Sequence, residues 1–245
     1  VSASPVRPPA PVPAAAVLAA FAVAAAADLA SLAAGFEPGH TVAKPLLMPL
    51  LACWAFLGGA PRLLVAALLF GWGGDVLLLS DAGPAFLAGM GSFALGHVCY
   101  LALFRAHGRR GTVPRARAGL AALAYAAALT GTVTLLWPDL PGGLRVPVAL
   151  YSALLTAMAY GALTRLGLVA GLGGALFMLS DTFIATGVAE WPQLPGPDFW
   201  IMLTYIAAQF LLTRGTLGAP HTPVVAEDAV RPAGAQARAS AAPPR

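Results

Sequence analysis

Five ionisable side chains sit inside long apolar runs of this chain: Asp28, Lys44, Asp75, His97 and Asp181. Hydrogen-bonding residues accompany them. Tyr100 stands three residues after His97, Ser180 precedes Asp181, and Tyr205 stands four residues before Gln209. Carboxyl groups withdrawn from water are material for acid–base chemistry. Two that share a dry site cannot both ionise cheaply, so one holds a proton to give away and the other holds negative charge. A nearby histidine relays protons, and hydroxyl or amide groups orient water or substrate. The spacing of His97 and Tyr100, and of Tyr205 and Gln209, puts each pair on one helix face. Asp75 lies within "LLFGWGGDVLLLSD", behind Gly73 and Gly74, whose size lets another helix or a lipid chain approach.

Each of these residues has a blander reading. Asp28, in an Ala-rich stretch, pairs with Lys44 as structural charge compensation. Lys44 alone is an interfacial anchor, and His97 alone is a satisfied core histidine. Cys53 and Cys99, both in apolar runs, read as membrane-buried thiols rather than a disulfide or a metal site. No His/Cys cluster has metal-ligand spacing, and no Gly-rich phosphate loop follows a strand pattern.

The elements that must position these groups follow from composition. Of 245 residues, 59% are hydrophobic and only 10% charged, with mean hydropathy +0.78. A soluble domain carries about 25% charged residues. The chain therefore reads as an integral membrane protein. Its formal charge of +4 comes mostly from arginines in loops and tails, a poor basis for nucleic-acid binding. Residues 1–13 are Pro-rich and 214–245 are Pro/Ala-rich, and both read as disordered.

Between the tails lie eight apolar segments, near 14–34, 42–58, 62–80, 84–104, 117–137, 146–164, 167–189 and 197–213. Each approaches the ~20 residues that a helix needs to cross a bilayer. Lipid leaves no partner for open backbone groups, so helix is the practical reading. The second segment is the least regular, with Pro45 and Pro49 inside it. The expected fold class is thus all-α, a polytopic bundle of eight transmembrane helices. With both termini cytoplasmic, all but Lys44 and Arg145 of the 14 basic residues fall inside. Glu37, Asp81, Asp139, Glu190 and Asp198 fall outside, and Asp81 marks where the third span leaves the membrane. This is the positive-inside pattern. A signal peptide over the first segment is the competing reading, and it would spoil the even count.

At 1.5 Å per residue, Asp28 and Asp181 lie about 21 Å from the inner ends of their spans and Asp75 about 18 Å. His97 and Gln209 descend by about 20 and 18 Å from the outer side, and Tyr205 by about 12 Å. One polar pocket is expected from these depths. A weak internal echo joins the third and fourth segments to the seventh and eighth. "GGDVLLL" and "LSDTFIA" each place an Asp after a small residue, and each precedes a segment with a polar pair. Two related four-helix halves and a chance match are both open.

The ordered set "TVAKPLLMPLLACW", "FGWGGDVLLL", "FLAGMGSFALGHVCYLALF", "LFMLSDTFIA" and "YIAAQFLL" closely resembles the YhhN family of multi-helix membrane proteins, which includes the animal lysoplasmalogenases. The resemblance covers roughly residues 14–213. It implies an eight-helix membrane bundle and hydrolysis of the vinyl-ether bond of lysoplasmalogens to a fatty aldehyde and a glycerophospho-base. It implies Asp75, Asp181 and His97 as catalytic residues, with Lys44, Tyr100, Ser180, Tyr205 and Gln209 around the substrate. Asp28 belongs to none of its elements. The Ala, Arg and Pro bias suggests a GC-rich bacterial coding sequence. The expected location is then a bacterial inner membrane, where the lipid substrate can differ.

Vinyl ethers hydrolyse by acid catalysis, which asks for one protonated acid, one anion near the developing cation and a base to steer water. The two aspartates suit this division, and Lys44 near the headgroup level suits a lipid phosphate. No metal and no cofactor is required. The expected partners are a lipid substrate and the membrane, with no nucleic acid, and a homodimer is allowed for. A metal hydrolase using the same residues, a proton-coupled transporter or carrier, and a structural scaffold are the alternatives.

Overall fold

The structure is a computed structural model that describes residues 13–80, 82–109 and 112–218. Asp81 and most of both tails, expected respectively to end a span and to be disordered, lie outside the described residues. The chain forms eight helices: α1 (Ala14–Ala33), α2 (Glu37–Leu57), α3 (Arg62–Leu77), α4 (Gly83–His107), α5 (Arg115–Leu136), α6 (Gly142–Leu166), α7 (Leu168–Val188) and α8 (Pro197–Leu217). No strand occurs among the described residues.

Proline punctuates the helix starts. All helices but α7 carry one at the cap or in the first two positions, where its fixed φ suits the helix and its missing N–H costs nothing. The helix α7 follows Gly167, whose φ of 94° permits a one-residue reversal out of α6. The second helix begins five residues earlier than the apolar run and passes through Pro45 and Pro49 unbroken. Those prolines leave the Thr41 and Pro45 carbonyls without their N–H donors one turn on. The last helix runs through residues 214–217, which the sequence reading placed in the tail, and buries Gly215 and Thr216.

Six helices are long and apolar enough to cross a membrane: α1, α2, α4, α5, α6 and α7. The other two differ for a reason that concerns the site. The third has only 16 residues, about 24 Å of helix. In α8 the apolar run is diluted by Thr204, Tyr205, Gln209, Thr213 and Thr216, all buried. These two helices supply Asp75 and the Tyr205 and Gln209 side chains.

Apart from α4 and α5, neighbours in sequence pack antiparallel, with α7 along α8, α3 along α4 and α1 along α2 as the closest pairs. Cross-ties fix which ends lie together. The Arg109 amide donates to the Arg165 carbonyl, joining the C-terminal ends of α4 and α6. Trp191 Nε1 donates to Asp139 Oδ2 at 2.8 Å, joining the far ends of α5 and α7. Small residues set the closest contact: a Cβ on Gly173 of α7 would meet Ala208 O and Leu212 N of α8 at 2.8 Å.

Seven helices share one core, with Leu47, Leu51, Leu68, Leu103, Met158 and Leu212 at its centre. The exception is α5. Leu136 is its only buried residue, and it belongs to a separate small cluster with Leu140, Val148 and Ala189. Arg145, one of two basic residues that escape the charge pattern, donates to the Leu140 and Pro138 carbonyls and so closes the α5–α6 turn.

Candidate active site

Asp75 sits near the end of α3 with 2% of its surface exposed. Tyr205 of α8 donates to its Oδ2 at 2.8 Å. One turn along α8, Gln209 Nε2 donates to the Tyr205 hydroxyl at 3.3 Å, and Tyr100 of α4 donates to Gln209 Oε1 at 2.7 Å. Every hydrogen bond in this chain points toward the carboxyl group. Such a one-way series polarises each of its members. Room for it comes from α3: a Cβ on Gly71 would lie 3.0 Å from Gln209 Nε2 and 3.1 Å from the Tyr205 hydroxyl.

Asp181 of α7 is held differently. Tyr151 of α6 donates to its Oδ2, and His97 Nε2 of α4 meets the same hydroxyl at 3.1 Å. His97 Nδ1 is buried with no partner. A buried N–H without an acceptor is more costly than a bare lone pair, so the proton belongs on Nε2. The series then runs His97 to Tyr151 to Asp181. Asp181 Oδ1 takes no hydrogen bond among the described residues, and the residue lines a cavity that is partly open to the outside. Its wall is mostly apolar, with Phe86, Met90, Phe93, Leu129, Leu155 and Ile184 among the lining residues.

The two networks meet across an aromatic wedge. Phe177 of α7 presents its edge or face to His97, Tyr205 and Phe93 at centroid distances of 4.8, 5.4 and 6.2 Å. Phe93 also stands at 5.8 Å on Tyr205, and its ring lies over Gly74, where a Cβ would approach it to 2.4 Å. A Cβ on Gly73 would lie 2.7 Å from Ser92 Oγ of α4. Both glycines thus admit α4. Phe93 borders the cavity on one side and the Asp75 network on the other.

The pocket residues expected from sequence therefore fall into two groups. Asp75, Tyr100, Tyr205 and Gln209 form the sealed network, while His97 and Asp181 belong to the cavity-side network. Tyr100 and His97, placed on one helix face, serve different carboxyl groups. Ser180 reaches neither; its hydroxyl donates to the Ile201 carbonyl and ties α7 to α8. Lys44 is buried and makes no hydrogen bond among the described residues. The expected Asp28–Lys44 pair is replaced. Asp28 Oδ1 meets His40 Nδ1 at 2.8 Å, because α2 starts early enough to put His40 one turn before Lys44. Asp28 Oδ2 is buried with no partner. Sequence reasoning missed His40, Tyr151, Phe93 and Phe177. Only His40 left a signal, its i, i+4 spacing from Lys44; the others resemble any aromatic residue in an apolar span.

No group of three His, Cys, Asp or Glu residues converges among the described residues.

The profile of the YhhN family matches residues 39–216, which hold every residue of both networks and leave Asp28 outside. A lysoplasmalogenase of Mycobacterium bovis is 33% identical over 185 residues, covering 73% of this chain and 69% of the relative. Lysoplasmalogenase TMEM86B of Homo sapiens is 36% identical over 182 residues, covering 71% of this chain and 74% of its own. The Sus scrofa protein of the same name is 34% identical over 190 residues, with 75% and 79% covered. No solved structure matches the chain. A match of this extent, over the span that contains both networks, makes the chain a member of the YhhN family.

Proposed function

We propose that this chain is an intramembrane lysoplasmalogenase. It crosses the membrane eight times with both termini cytoplasmic, and cleaves the vinyl ether of a lysophospholipid to a fatty aldehyde and a glycerophospho-base. The observation that carries the reading is Asp181, the one carboxyl group among the described residues on the wall of a mostly apolar cavity, in a chain whose relatives are lysoplasmalogenases.

Tyr151 occupies Oδ2 of Asp181, and Oδ1 is left for the substrate. Protonated Asp181 gives its proton to the alkenyl carbon β to the ether oxygen. The positive charge left behind is shared between the neighbouring carbon and the oxygen, and the new carboxylate lies beside it. Water attacks that carbon and returns a proton to Asp181, and the hemiacetal collapses to aldehyde and alcohol. The same carboxyl acts first as acid and then as base, as in glycosidases that pass through a comparable cation. Tyr151 steadies the carboxylate between these steps, and His97 supports Tyr151 from behind. Asp75, across Phe93 and Phe177, adds negative potential without touching the substrate, and Lys44 balances it.

The test is aldehyde release from a lysoplasmalogen by purified protein. Wild type releases it and Asp181→Asn does not. No release from wild type, over a range of vinyl-ether lysolipids, sinks the reading. A second reading keeps some support from the sealed Asp75 network, since buried carboxyl groups also serve proton-coupled carriers. Proton-linked uptake into liposomes, lost in Asp75→Asn, would promote it.

A further inference from the structure

The cavity is open over part of its surface. Its wall takes Phe86, Met90 and Phe93 from α4 and Ala128, Leu129 and Thr132 from α5. Yet no Cα atom of α4 comes within 8 Å of one of α5 among the described residues. The fifth helix packs on α6 and, more lightly, on α7. It adds nothing to the main core and is anchored by Leu136 at one end. Leu120, Leu123 and Leu135 face outward from it, as a helix in contact with lipid would have them.

The cavity also lies toward one end of the bundle. Its residues come from the first half of α4 and α6 and the second half of α5 and α7. That is the end bearing Asp139, Glu190 and Asp198, whereas Arg62, Arg105, Arg115, Arg117, Arg165 and Arg214 gather at the other. By the charge rule the arginine end is cytoplasmic. Asp181 is seven residues from the end of α7 at Val188, about 10 Å of helix. The headgroup region takes up about 5–7 Å of each side of a bilayer. A carboxyl group at this depth meets the first carbons of a lipid chain, where a vinyl ether is found. Trp137, Trp191 and Trp200 cluster at the same end, at the level where indole rings favour the interface.

We infer that the lipid reaches Asp181 sideways from the outer leaflet, through the gap between α4 and α5. The chain slides in along Met90 and Leu129, and the headgroup stays at the outer surface. The inference rests on the lysolipid reading for the identity of the occupant, and the gap itself does not.

Two measurements test it. Full-length Asp181→Asn protein in liposomes is irradiated with a lysophosphatidylcholine that carries a diazirine on its single chain, and the labelled peptides are mapped. Label on Phe86, Met90 or Leu129 is expected; label confined to other helices, or none above a lipid-exposed control, overturns the route. Separately, a vinyl-ether lysolipid is added to right-side-out and to inside-out membrane vesicles, and aldehyde is followed over the first minute. At least tenfold faster release from right-side-out vesicles is expected, and equal or reversed rates overturn outer-leaflet access. Label at the α4–α5 wall without aldehyde from either vesicle would reject the hydrolase reading and leave the route standing.

Discussion

Asp75 and Asp181 each accept a hydrogen bond from a tyrosine on another helix, but only Asp181 meets open space. The partners differ in origin. The carboxyl group on α3 is served from α8. The one on α7 takes its hydrogen bond from Tyr151 on the adjacent α6, which His97 on α4 backs. The difference between the two sites lies in what fills the space in front. Phe93 and Phe177 cover the Asp75 side. On the Asp181 side the loosely held α5 leaves a cavity. A sealed carboxyl, held by Tyr205 behind the aromatic rings, contributes structure and field. A carboxyl with one oxygen free in a cavity can exchange a proton with a guest.

This comparison can be broken at several points. Asp181→Asn removes the proton donor and is expected to cut aldehyde release by about 10²–10⁴-fold, the usual worth of general acid–base help, with the melting temperature little changed. Tyr151→Phe leaves Asp181 in place but strips its donor; a loss of roughly tenfold or more in kcat, with KM nearly constant, is expected from a lost hydrogen bond of about 1.5–3 kcal/mol to a charged group. Tyr205→Phe should reverse the balance. It takes the donor from a fully sealed carboxyl group, so thermal stability in detergent falls by about 1–3 kcal/mol and activity falls less than with Tyr151→Phe. Gly74→Ala drives a methyl group into the Phe93 ring and should cost about 1–3 kcal/mol as overpacking, with activity lost in proportion to the Phe93 displacement. A chelator is expected to change nothing, and loss of activity with it would bring metal chemistry back.

Much of the architecture was legible before the fold was known. Apolar run lengths and prolines mark eight helices to within a few residues at most ends, because each must hide its own backbone. The beginning of α2 was hidden because "EPGHTVAK" reads as polar loop, although Glu37 and Pro38 make a good first turn. That shift concealed His40 and misassigned the partner of Asp28. Of the polar residues, Asp75, Tyr205, Gln209 and Tyr100 could be singled out because each is expensive in lipid. Which carboxyl group they serve depends on how helices are arranged around the bundle, and hydropathy carries no such information. Tyr151 was invisible for a simpler reason. In "ALYSALL" a tyrosine is ordinary, and only its neighbours across α4 and α7 give it a role.

The central claim is that Asp181 is the acid and Asp75 acts from behind the aromatic wedge. The most direct measurement is single-turnover aldehyde release by wild type, Asp181→Asn and Asp75→Asn, reconstituted side by side in the same lipid. The account predicts that Asp181→Asn falls to background while Asp75→Asn keeps a measurable, slower rate. An Asp75→Asn protein that is folded yet as silent as Asp181→Asn, or an Asp181→Asn protein that still turns over, would contradict it.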